Sequence, residues 1–148
     1  MDYFIIQTDI NENMRASLVN WLIKLVGKLS INLHVFFSAI ALIDEYLSKK
    51  KIIRSEFQKI GAVCILLSSK MEEVYAITID DLIYELGEMV APNIIKEIEI
   101  NVLDILRYKL NYDTVGYHVK AINNGGCQNY IRFIFINSIK MKHIIFFF

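Results

Sequence analysis

Apolar residues in this chain return every three or four positions, run after run, and a single proline stands among 148 residues. That period follows the turn of an α-helix, and so few breakers leave little room for a turn-rich β architecture. From Asn11 to Leu29 the residues Met14, Leu18, Trp21, Leu22 and Leu25 mark one amphipathic helix. A second is expected from about Leu33 to Leu47, where VFFSAIALI is hydrophobic on nearly all sides, as suits a central helix. Lys49, Lys50 and Lys51 close it and complement its dipole. Ser55 is expected to cap a third helix, with Gln58 as its capping-box partner, and Gly61 and Ala62 would let a neighbour come close. Thr78 opens a short fourth helix with Asp80 and Asp81 in its first turn. Pro92 starts a fifth, which runs to about Leu110 on the stripe Ile95, Ile98, Val102, Leu103 and Leu106. The fold class is therefore all-α, five helices with short connections.

Residues 1–10 read as a lead-in and 11–112 as the five-helix unit, closing on a turn at Asn111-Tyr112-Asp113. Residues 113–122 read as a short helical stretch capped by Thr114. From 123 to 148 the character changes: Asn123-Asn124-Gly125-Gly126 is a linker, and YIRFIFINSIKMKHIIFFF is crowded with Ile and Phe but shows no helical face. That irregular hydrophobic tail has the strand propensity of an aggregation-prone segment and reads as a fragment that needs partner sequence.

Composition and motifs exclude several functions. Sixteen basic against sixteen acidic residues remove the electrostatic footprint of a nucleic-acid binder. Cys64 lies in an apolar run as a small core residue, far from Cys127, and neither has metal-ligand spacing or suggests a disulfide scaffold. No signal peptide is evident, and the most apolar stretch, Tyr130 to Phe148, is interrupted by Arg132, Lys140 and Lys142, so no membrane span is expected. His34, His118 and His143 fall in separate segments without Cys or carboxylate at metal spacing. The adjacent acids Glu72-Glu73 and Asp80-Asp81 point apart on a helix, which suits solvated faces or caps better than acid–base work. No enzyme, metal or cofactor is expected.

Three segments in order are more specific: MRASLVNWL preceded by Gln7-Thr8-Asp9-Ile10, then ALIDEYLS, then QKIGAVCILLSSKMEE. Together they resemble the N-terminal cyclin box, most closely that of the A- and B-type mitotic cyclins, and IxEIEINVLDILRYKL continues the resemblance, which covers about Gln7 to Val119. The resemblance implies a five-helix box that binds and activates a cyclin-dependent protein kinase, in nucleus and cytoplasm. It implies a buried structural pair of Arg15 with Asp44, and both residues also stand in apolar registers of their own helices. It places Lys70 and Glu99 at the kinase, with apolar contact from Leu67, Met71, Tyr108 and Leu110. Lys59 departs from the pattern by standing where that patch is usually apolar, and Glu45 departs where the family commonly has arginine.

The resemblance also implies a groove that docks substrates and inhibitors through short basic-apolar motifs, built from Met14, Leu18, Trp21 and Gln58. Spacing alone would make Met14, Leu18 and Trp21 a core stripe. Ser17 stands where isoleucine is usual, and Lys24 where glutamate is usual, so Lys24 is expected at the groove rim, repelling a basic motif. The second cyclin box should begin near Thr114-Val115, so the chain reads as a one-box form. Two further readings stand beside the kinase regulator: a cyclin-fold scaffold or adaptor that does not activate a kinase, and a cyclin-fold nucleic-acid-binding factor. Zero net charge argues against the second.

Overall fold

Five α-helices form where the apolar period places them: α1 (Glu12–Lys28), α2 (Leu33–Lys49), α3 (Arg54–Glu72), α4 (Ile79–Glu85) and α5 (Pro92–Ile105). A single 3-10 turn, Tyr3–Ile5, precedes them, and sequence periodicity gave no sign of it. The computed structural model describes residues 3–87 and 90–111, and among these there is no strand. The expected turn beyond Asn111, the helix to Ile122, the linker, the tail, His118, His143 and Cys127 lie outside the described residues.

The ends of the helices follow from side-chain and backbone chemistry. Asn11 caps α1 by accepting the Met14 N–H at 2.9 Å. Thr78 and Asp81 form a reciprocal capping box on α4, and the two Thr78 hydrogen bonds hold the Asp81 carboxyl below its ordinary range. Two expectations fail. α3 begins at Arg54 after Ile53, so Ser55 sits inside the first turn and makes no cap; no side chain caps this end, and the Glu56 N–H bonds the Ile53 carbonyl at 3.1 Å. α5 stops at Ile105 rather than near Leu110, because Tyr108 N–H returns to the Leu103 carbonyl and Arg107 N–H to that of Asp104. This is a Schellman closure made without glycine, and it holds Arg107 and Tyr108 at φ of 51° and 57°.

The core is organised around α3. Every residue from Ile60 to Ser69 is buried, and the helix touches α1, α2, α4 and α5. The central place expected of α2 is thus shared with α3. Cys64 is fully buried, which pushes its thiol pKa up and removes it from reactive chemistry. At its end α3 is tied to α2 by His34 Nε2, 3.1 Å from Glu72 Oε2, and by Asn32 N–H donating to Glu73 Oε1 at 2.9 Å. Glu72 and Glu73 are therefore fastenings between helices, not the solvated pair their adjacency suggested.

Polar anchors fix α2 to its neighbours. The Arg15 guanidinium of α1 meets the Asp44 carboxylate of α2 through two hydrogen bonds of 2.7 and 3.0 Å. Tyr3 completes the cluster by donating its hydroxyl to Asp44 Oδ1 at 2.8 Å. Burial opposes the Arg15 charge, yet Asp44 outweighs it and holds the guanidinium above its ordinary pKa. Burial and then the Asp44 charge push the Tyr3 phenol well up. Gln7 is a second anchor: its amide donates to the carbonyls of Leu47 and Lys50, and its oxygen accepts the Ile52 N–H. The lead-in thereby closes the connection between α2 and α3.

Removing one member of a buried pair leaves the other charge uncompensated. The Asp44 side chain is 30% exposed, which places Arg15→Ala at the low end of the usual range, about 3 kcal/mol of lost stability in urea denaturation. Tyr3→Phe, which removes one hydrogen bond and leaves the ion pair, is expected to lose about 1 kcal/mol in the same assay.

Candidate partner-binding face and groove

The last turn of α3 and the outer side of α5 form one candidate surface. Lys70, from α3, and Glu99, from α5, are brought together as a direct ion pair. The Lys70 side chain is 43% exposed and that of Glu99 15%, so water screens the pair from the Lys70 side. Met71 and Tyr108 are exposed, and Leu110 is half-buried. Tyr108 is presented by the closure that ends α5, and its hydroxyl donates to Asp104 Oδ1 at 3.1 Å. Leu67 does not belong to this surface. It is 4% exposed, because α3 is surrounded by other helices from Ile60 to Ser69 and, toward its C-terminus, only the final turn reaches solvent. Lys59 is half-buried; eleven residues before Lys70, it lies on nearly the same side of α3, about 16 Å away along the axis.

Sequence reasoning missed other apolar groups on these elements. Val74 and Tyr75, directly after α3, are 90% and 92% exposed, and Ile100 on α5 is 59% exposed. Val74 and Tyr75 fall between the end of α3 and the Thr78 cap, where no helical period demands burial, so their apolar character was itself the available signal.

The second surface is a groove of about 460 Å³ between the beginnings of α1 and α3. Buried Leu18 and Phe57 form its floor, with half-buried Met14 and Trp21 beside them. Asn11, Asn13, Ser17, Gln58 and Arg54 supply its polar rim. The stripe expected to be core has divided: Leu18 is core, whereas Met14 and Trp21 keep part of their surface in the groove. Ser17 turns its hydroxyl back to the Asn13 carbonyl at 2.9 Å. Lys24 is exposed but does not line the groove; Arg54 does, and it was overlooked although it stands one turn before Gln58. Gly61 lets the two helices meet here, since a Cβ at that position would lie 2.8 Å from Leu18 Cδ1.

Among the described residues no group of three His, Cys, Asp or Glu is placed to hold a metal ion, and no helix is long and apolar enough to cross a membrane. What the arrangement offers is binding: an all-α scaffold with a mixed charged and apolar face at one end of α3 and a groove at the other.

Known proteins share that scaffold. Residues 1–111 match the family model described as the cyclin N-terminal domain, and the chain belongs to the cyclin family. It is 34% identical over 114 residues to Cyclin-B2-1 of Arabidopsis thaliana, covering 77% of this chain and 27% of that protein. It is 36% identical over 108 residues to G2/mitotic-specific cyclin-2 of Medicago sativa, covering 73% of this chain and 33% of the relative. G2/mitotic-specific cyclin-B of Hydra viridissima is 34% identical over 107 residues, 72% of this chain and 27% of its own length. The crystal structure of a viral cyclin from herpesvirus saimiri superposes with a TM-score of 0.68 at 28% identity, over 72% of this chain and 46% of that one. The chain thus spans about a third or less of the length of these three relatives.

The contact of Gly61 with Leu18 is tight enough to test. Adding a methyl group forces the buried Leu18 side chain to move, and Gly61→Ala is expected to lose about 1–3 kcal/mol in thermal or urea unfolding.

Proposed function

We propose that this chain acts as a cyclin regulatory subunit that binds and activates a cyclin-dependent serine/threonine protein kinase, controlling cell-cycle progression without catalysis of its own. The observation that carries the reading is the pairing of Lys70 with Glu99 beside exposed Met71 and Tyr108. A specific interface needs an apolar centre and a few directed, charge-assisted bonds. Lys70 and Glu99 satisfy one another in the free chain, so they are held in place and exchange a weak solvent-screened bond for bonds to the kinase. The exposed tyrosines and Met71 supply the desolvated area around them. Membership of the cyclin family, and the mitotic cyclins among its relatives, support the same reading. A nuclear and cytoplasmic distribution, and docking of substrates or inhibitors at the groove, form part of the proposal.

An adaptor that binds a kinase without activating it is favoured by two features: Leu67 is withdrawn into the core, and half-buried Lys59 carries a charge on the same side of α3. Coexpression with cyclin-dependent kinases, followed by copurification and a phosphorylation assay, separates the readings. Capture with activation supports the regulator, capture without activation the adaptor, and no capture counts against both.

Lys70→Ala and Glu99→Ala are each expected to weaken kinase binding at least about tenfold by calorimetry, the usual cost of truncating an interfacial hydrogen-bonded charge. Circular dichroism should match the parent and urea midpoints should fall only slightly, because water screens the pair on its Lys70 side.

A further inference from the structure

The charges of this chain are divided unevenly along it. All 16 acidic residues stand within residues 1–113 together with 12 of the 16 basic ones, so that part carries a formal net charge of −4. Residues 114–148 carry +4 and hold no acid at all, an asymmetry that favours attraction between the two parts. The acids are also concentrated: from Met71 to Ile95 there are six, with no lysine or arginine among them. Apolar side chains are exposed in the same stretch. Val74 and Tyr75, in the connection after α3, are 90% and 92% exposed, and Tyr84 on α4 is 66% exposed. Asp80, one turn before Tyr84 and on the same side of α4, is exposed as well. Lys28 reaches over the Tyr84 ring, but its charge is met by Glu85 at 2.7 Å. The backbone beneath this surface is fixed, since Ile77 N–H donates to Ser69 Oγ at 3.0 Å and the Thr78–Asp81 box caps α4. An exposed surface that is both apolar and acidic suits a segment that is apolar and basic. Residues 130–148 are such a segment, with Arg132, Lys140 and Lys142 set among Ile and Phe.

We propose that residues 130–148 of this chain dock on the surface formed by Val74, Tyr75, Asp80 and Tyr84. The 18 residues from Tyr112 to Gln128 and Asn129 span up to about 60 Å when extended, well beyond the about 21 Å length of α5, after which they follow. α5 packs against both α3 and α4, so the connection reaches the surface with length to spare, and a shared chain raises the effective concentration of the segment. Its isoleucines and phenylalanines cover Val74, Tyr75 and Tyr84, and its lysines face Asp80. Val74 lies three residues beyond Met71, so the docked segment competes with a kinase for the end of α3; this second step rests on the kinase reading above.

Hydrogen–deuterium exchange of the full chain, read by mass spectrometry, tests the docking with no kinase present. Amides of residues 130–148 should exchange at least about tenfold slower than the intrinsic rates of an unstructured chain. Tyr75→Ser combined with Asp80→Lys should return them toward those rates, while the buried amides of α3 keep their protection. Lys140→Glu combined with Lys142→Glu should have the same effect from the other side of the contact. Tyr75 and Asp80 are exposed, and circular dichroism establishes that each variant folds. Intrinsic rates in the parent overturn the proposal. So does slowing that is unchanged in every variant, or slowing that grows with protein concentration, as docking onto a second copy would give. The competition is read separately, by capture of a cyclin-dependent kinase. Opening the segment with Lys140→Glu and Lys142→Glu should tighten capture at least about threefold, since a larger fraction of the chain is then competent to bind. Equal capture by parent and variant removes the competition alone, and capture by neither counts against the kinase reading alone.

Discussion

Ten consecutive buried residues in α3, from Ile60 to Ser69, impose the arrangement of everything else. A helix apolar on all sides has to be enclosed on all sides, and here α1, α2, α4 and α5 do so. The consequence for function is geometric. An enclosed helix reaches solvent only at its ends, and those ends are where the two candidate surfaces lie. Lys70 and Met71 emerge at the C-terminal end, and Arg54 and Gln58 at the N-terminal end. The same constraint withdraws Leu67 from the surface and brings Gly61 against Leu18.

Apolar enclosure alone does not set the register of one helix on another, and the polar anchors supply that. Arg15 and Tyr3 converge on Asp44, and Gln7 satisfies three backbone groups around the connection of α2 to α3. Each is a directed interaction in a poorly solvated place, where an unmade hydrogen bond costs far more than a made one returns. His34 with Glu72, and Glu73 with Asn32, do the same at the other end of α3. Side chains that look like ordinary surface charges in the sequence are thus fastenings between helices.

The two surfaces differ in electrostatic character. On the α3–α5 face the opposite charges of Lys70 and Glu99 face one another, so the region has no strong net field. At the groove the one lining charge is that of Arg54, with Glu12 and Glu56 in the first turns of the two helices beside it. Within a chain of zero formal net charge, one candidate surface pairs its charges and the other is lined by a single cation, a distribution that composition averages away.

The number and order of the helices were legible in the sequence, because spacing of apolar residues is a local property and α-helices are stabilised along one local face. Asn11, Thr78 and Pro92 likewise act on their own turns, and all three stand where the helices begin. Arg15 and Asp44 were legible as a pair through the resemblance to the cyclin box, and their apolar registers gave the physical reason, since charges placed there require a partner. Local rules failed at two helix ends: α3 begins at Arg54, so Ser55 lies inside it and cannot cap it, and a Schellman closure ended α5 before its apolar pattern did. Only the folded chain decided that Leu67 is core while Met71, four residues on, is surface, and that Arg54 rather than Lys24 lines the groove. A residue's period specifies which side of its helix it occupies, whereas exposure depends on how far the neighbouring helices extend, and that is fixed by packing between segments distant in the chain.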